Sequence, residues 1–73
     1  MLDKIKTIVT QYVEIDPDQI TGDTSLKGDL GLTSLAMMNM LVEIEDEFGV
    51  EIDEGAAAQF ETLQDVMAYL SDH

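Results

Sequence analysis

The sequence predicts an all-α fold: a small four-helix bundle with a long loop between its first and second helices and a short third helix. Three observations lead there. Apolar residues recur at helical spacing in separate stretches of the chain. Cap and stop residues fall at the ends of those stretches rather than inside them. The β-prone run Val50-Glu51-Ile52 is short and has no partner strand, so it reads as a connection. The 73 residues form one domain, 1–73.

Taken in order, Leu2, Ile5, Ile8, Val9, Tyr12 and Val13 make one helical stripe. This first helix is expected to end near Ile15, because the residue before Pro17 disfavours helical backbone. Asp16, Pro17 and Gln19 fit the cap, first and third positions of a short helical turn. From Thr21 to Thr33 the chain reads as a loop rich in Gly, Asp, Thr and Ser, pinned to the core by Ile20, Leu26, Leu30 and Leu32. Loops of this length in a small domain are more often functional than idle. The second helix runs from Ser34 to Phe48 and stops at Gly49. Asp53 caps a short third helix through Phe60. Thr62 caps the fourth, where Leu63, Val66, Met67 and Leu70 fall at i, i+3, i+4 and i+7. Asp65, three positions after Thr62, approximates a capping box.

The second helix carries two apolar arcs. At about 100° per residue, Met37, Met40, Leu41, Ile44 and Phe48 share one arc wide enough to face the core. Leu35, Met38 and Val42 fall on another, bordered by Glu45 and Asp46. So little chain cannot cover both, so the second arc reads as an exposed strip edged with carboxylates, as a docking surface would be. The alternative is that both arcs are core. Methionines at 37, 38 and 40 suit a core that admits an apolar guest, although helical filler explains any single one.

Sixteen acids against three lysines, with no arginine, give a formal charge of −13. Such a surface repels nucleic acid and anionic membranes and attracts basic partner surfaces. Cysteine is absent, which removes disulfides and thiolate chemistry. A chain this short buries only ~60% of its unfolded surface, so its core is thin. No apolar run is long enough to span a membrane, and MLDKIKTIV lacks the apolar centre of a signal peptide. A cytoplasmic monomer is the expectation.

Catalytic and metal sites are not to be found. Serine hydrolase chemistry needs a base and an oxyanion arrangement, yet the chain's histidine is His73 at its end and no G-x-S-x-G surrounds Ser34. DPDQITGDTSLK opens like a calcium loop, but Lys27 sits where the bidentate glutamate belongs. The protein is therefore expected to bind no metal and not to be an enzyme. Ser34, opening an apolar run, is on general grounds an N-cap. A phosphate esterified there would meet free N–H groups and the positive end of the helix.

GDLGLTSL at 28–35, followed by EIEDEFGVEI at 43–52, closely resembles the acyl carrier protein pattern: D-L-G-x-D-S-L, then an acidic helix with E-E-x-F-x-x-x-I. The similarity extends over the whole chain, including ITGDTSLKGDLG before the serine and FETLQDVMAYL near the end. The resemblance implies that Ser34 carries 4′-phosphopantetheine. In that family a phosphopantetheinyl transferase uses coenzyme A and Mg²⁺, and the serine displaces 3′,5′-ADP to form a phosphodiester. The thiol at the arm's far end holds acyl groups as thioesters. Partner enzymes, among them acyltransferases and ketosynthases with basic docking surfaces, would read Leu35, Met38 and Val42 together with Glu43, Glu45, Asp46 and Glu47. Cargo would lie among Met37, Leu41, Ile44, Ile52, Ala57, Phe60 and Val66. Small side chains at 56–58 would make the third helix easy to displace.

Departures from the pattern are Thr33 in place of Asp, and Ala36 and Asn39 where acids are common. They shift the acidity of the second helix toward its C-terminal half. The expected function is a free-standing acyl carrier for fatty acid or polyketide assembly. The alternatives are a specialised aminoacyl or hydroxyacyl carrier of a dedicated cluster, or an unmodified helical adaptor for basic proteins.

Overall fold

The computed structural model describes all 73 residues. Four α-helices follow one another: α1 (Leu2–Val9), α2 (Ser34–Phe48), α3 (Glu54–Ala57) and α4 (Leu63–Asp72), with a 3₁₀ turn at Pro17–Gln19. No strand forms, and Val50–Ile52 is a connection. No helix is long and apolar enough to cross a membrane.

The helix ends follow local chemistry. Asp16 Oδ1 accepts the Asp18 N–H at 2.9 Å, and Pro17 supplies the first position of its turn. Gly49 adopts the left-handed conformation at φ 66° and donates its N–H to Glu45 O at 2.8 Å, which ends α2 where a side chain would strain the backbone. Asp53 caps α3 through the Ala56 N–H. At α4 the capping box is complete: Thr62 Oγ1 accepts the Asp65 N–H, and Asp65 Oδ2 accepts the Thr62 N–H.

Two helix ends and one cap differ from expectation. The first helix ends at Val9, not near Ile15. Thr10 Oγ1 donates to Thr7 O at 3.0 Å, and the chain tightens into i→i−3 bonds, Gln11 to Ile8 and Tyr12 to Val9. The third helix ends at Ala57, not Phe60, where Gln59 and Phe60 donate tightened i→i−3 bonds to Ala56 O and Ala57 O. The N-cap of α2 is Thr33, not Ser34. Thr33 has extended backbone, and its hydroxyl accepts the Ala36 N–H at 3.1 Å. Ser34 is thereby the first helical residue.

The core draws Ile5, Ile8 and Val9 from α1, Met40, Leu41 and Ile44 from α2, and Leu63, Val66 and Leu70 from α4. Ile20, Leu26, Leu30 and Leu32 from the long loop complete it, as expected. Full burial of one such side chain is worth roughly 1.5–3 kcal/mol, so the loop is held about as firmly as a helix. Backbone bonds fasten it to the start of α4: Leu26 N–H to Glu61 O at 2.9 Å, Leu63 N–H to Thr24 O at 3.1 Å, and Gln64 N–H to Gly22 O at 2.8 Å. α3 contributes no buried residue and is the least anchored helix.

Candidate functional site: an exposed serine beside an apolar cleft

The loop delivers Ser34 to the surface in three steps. Leu30 and Leu32 are buried, and between them Gly31 turns the chain at φ +64° with open space around it. Thr33 then closes the cap, and Ser34 begins α2 exposed to solvent. The N–H groups of a first helical turn lack carbonyls one turn back, and no acidic residue occupies the first turn of α2. The hydroxyl of Ser34 therefore stands in a field that favours an attached anion.

Beside it opens a cleft of about 360 Å³ between α2, α3 and the loop. Ser34 is part of its lining, so a group on that hydroxyl has an adjoining space to enter. Of the side chains expected around cargo, Met37, Leu41, Ala57 and Phe60 line this cleft. Ile44 and Val66 do not, being sealed in the core at 0% exposure, and Ile52 packs against the core instead. Leu32, Met38 and Ala58 add apolar surface, and Lys27 and Glu54 add opposite charges. Sequence periodicity had no means of bringing Lys27 here, because the loop's path depends on its tertiary fastening to α4.

The second apolar arc of α2 is uncovered. Leu35, Met38 and Val42 are 70%, 63% and 52% exposed, which excludes the alternative that both arcs are core. The neighbouring acids divide into two kinds. Glu43 Oε1 accepts the Tyr12 phenol at 2.6 Å, and Glu45 Oε2 accepts the Ile52 N–H at 2.6 Å. Asp46 and Glu47 are exposed, with Glu47 4.0 Å from Lys4. The bond to Glu43, then burial and the nearby negative charge, raise the Tyr12 pKa above its ordinary value. A second hollow, about 470 Å³, separates α1 from α2, but its walls are polar apart from Ile8. It offers hydrocarbon no purchase.

A family model described as the phosphopantetheine attachment site matches residues 3–70. The solved structure of an acyl carrier protein from Enterococcus faecalis is similar at a TM-score of 0.83 and 34% identity, over 97% of this chain and 90% of that one. This chain belongs to the acyl carrier protein family. It is a carrier and not an enzyme, its cofactor is covalent 4′-phosphopantetheine, and its partners in general are a phosphopantetheinyl transferase and synthase enzymes.

Two further devices shape the carrier's cleft. The Tyr69 phenol accepts the Asp53 N–H at 3.1 Å and donates to Glu51 O at 3.3 Å, and its ring meets Phe60 edge-on at 5.8 Å. α4 thus tethers both ends of the α3 segment through one side chain. The tyrosine falls off the apolar stripe of α4, so its role was not visible in sequence spacing. Asp65 is the second device. Its carboxylate accepts N–H groups from Glu61 at 2.8 Å and Thr62 at 3.1 Å. Those bonds outweigh desolvation and hold its pKa below the usual carboxylate value. They also order the Glu61–Thr62 segment on which the carrier's loop hangs.

Proposed function

We propose that Ser34 is the residue carrying 4′-phosphopantetheine and that the carrier serves fatty acid or polyketide assembly. The observation that carries this reading is the pairing of an exposed hydroxyl at the start of α2 with a mostly apolar cleft beside it. The residues fit the group. Gly31 leaves open space upstream, the helix start favours a phosphodiester, and the cleft volume lies in the ~300–1,000 Å³ range of small-molecule sites. When attached, the arm supplies the thiol that holds an acyl group as a thioester.

The chain's own part is presentation and shelter. Thr33 sets the start of α2 and leaves the Ser34 oxygen uncommitted to capping. Met37, Leu41, Ala57 and Phe60 offer apolar surface to a hydrocarbon tail. That apolar wall favours acyl cargo over aminoacyl cargo, and an unmodified adaptor would have no use for the cleft. Leu35, Met38 and Val42, with Asp46 beside them and Glu47 further round the helix, form the surface that basic partner enzymes read. Glu43 and Glu45 mainly hold structure around it.

Incubation with coenzyme A, Mg²⁺ and a broad-specificity transferase is expected to add one phosphopantetheinyl group, located at Ser34 by peptide mass spectrometry. An unchanged mass in a folded sample would sink the assignment.

A further inference from the structure

Three lysines face sixteen acids in this chain, and they are unevenly placed. Lys4 and Lys6 belong to α1, and the one ion pair within the chain joins Lys4 to Glu47. Lys27 is the lysine that lines the cleft with Ser34. Its side chain is exposed and unpaired, but its backbone is anchored. Leu26 beside it is fully buried, the Ser25 N–H donates to Asp29 Oδ2 at 2.8 Å, and Gly28 N–H donates to Ser25 Oγ at 3.0 Å. The other charge in the cleft is Glu54 on α3, which an anion avoids.

We propose that Lys27 is the counter-ion of the phosphodiester on Ser34 and a positioning residue for the arm. The proposal rests on the Ser34 assignment above. A phosphodiester is anionic throughout the working pH range, and on a chain of charge −13 it meets like charge in most directions. Lys27 supplies a compact ammonium on a flexible stem, able to follow the phosphate over a range of arm positions. Charge-assisted hydrogen bonds to phosphate oxygens are among the stronger ones available at a surface. Pairing at this rim draws the arm's root toward the cleft rather than outward to solvent. Because the pair is exposed, salt weakens it.

The test uses the loaded protein, its single arm first located at Ser34 by mass spectrometry. Lysine side-chain methylene signals are compared by ¹H–¹³C NMR before and after loading. The Lys27 signal is expected to move on loading while those of Lys4 and Lys6 stay, and to move back in about 1 M salt, where the Debye length is ~3 Å. The ³¹P line of the arm is expected to narrow in Lys27→Gln as its motion is freed, and to broaden again in Lys27→Arg. A Lys27 signal identical in the two forms at low salt overturns the counter-ion, as does a ³¹P line indifferent to Lys27→Gln; the Ser34 assignment survives either result. Failure to load Ser34 shows earlier, in the mass spectrum, and overturns both.

Discussion

The phenol of Tyr12 donates a 2.6 Å hydrogen bond to Glu43, joining the turn that follows α1 to the middle of α2. This bond spans 31 positions of sequence and fixes the face of α2 that looks toward α1. It also engages one oxygen of that carboxylate, so Glu43 is less free to reorient toward a partner than an unbonded acid. Charge on α2 is therefore a poorer guide to docking than charge left uncommitted.

The same bond makes alkaline stability a signature of Tyr12. Its folded-state pKa lies above the ordinary 10.0, so the folded protein holds the phenolic proton more tightly than the unfolded chain. The stabilisation is complete below pH 10 and is lost as pH rises through the raised value. Tyr12→Phe is expected to be less stable than wild type near neutrality, with the gap closing above about pH 10. Urea unfolding followed by circular dichroism across that range measures it, and a constant gap would refute it.

On the proposed assignment, Ser34 and its neighbour Thr33 separate attachment from folding. The cap belongs to Thr33, whose hydroxyl receives the Ala36 N–H. Thr33→Ala is expected to cost about 1 kcal/mol of stability while still accepting the arm. Ser34→Ala is expected to keep wild-type stability within about 0.5 kcal/mol and to accept none. Denaturant midpoints and mass spectra of the two variants decide the matter. The outcome reversed would return the cap to Ser34.

Much of this architecture could be read from local chemistry. α2 keeps its expected bounds because Gly49 and the apolar repeat are both short-range signals, and the four loop anchors are apolar residues in a polar stretch. What escaped are relationships between distant segments. The end of α1 depends on Thr10 bonding back to Thr7, an option any threonine has and few use. The fastening of the loop to Glu61–Gln64, the use of Glu45 to hold Ile52, and the arrival of Lys27 in the lining of the cleft that Ser34 borders all require the assembled fold. Ile44 and Val66, which the family resemblance puts near cargo, are buried in the core and do not line the cleft.

Asp65 gives the acid side its own signature. Its folded pKa is below the ordinary 3.8, chiefly through the Glu61 and Thr62 N–H groups. Its contribution is therefore whole above that ordinary value and lost as pH falls through the lowered one. The stability difference between wild type and Asp65→Asn is expected to be constant above about pH 5 and to shrink toward zero in stronger acid. Amide exchange at Glu61 and Thr62 is expected to quicken in the variant at neutral pH. Unaltered exchange there would mean the carboxylate does not order the segment that carries the loop.

Glu45 and Asp46 are adjacent in sequence and opposite in employment. Glu45 closes the α2–α3 connection through a 2.6 Å bond to the Ile52 N–H, a charge-assisted contact worth about 1.5–3 kcal/mol. Asp46 is exposed, close in angle to Leu35 and Val42 on the helix surface, and available to a partner. Glu45→Ala, which removes the acceptor, is expected to lower the unfolding midpoint and leave the salt dependence of partner association unchanged. Asp46→Lys is expected to leave the midpoint nearly unchanged. It should slow association with a phosphopantetheinyl transferase several-fold at low ionic strength, the difference fading as salt shortens the Debye length below ~8 Å. Stopped-flow association rates at two salt concentrations, set beside urea midpoints, distinguish the two roles. If Asp46→Lys associates as fast as wild type at low salt, the partner does not read this strip by charge, and Leu35, Met38 and Val42 must carry recognition alone.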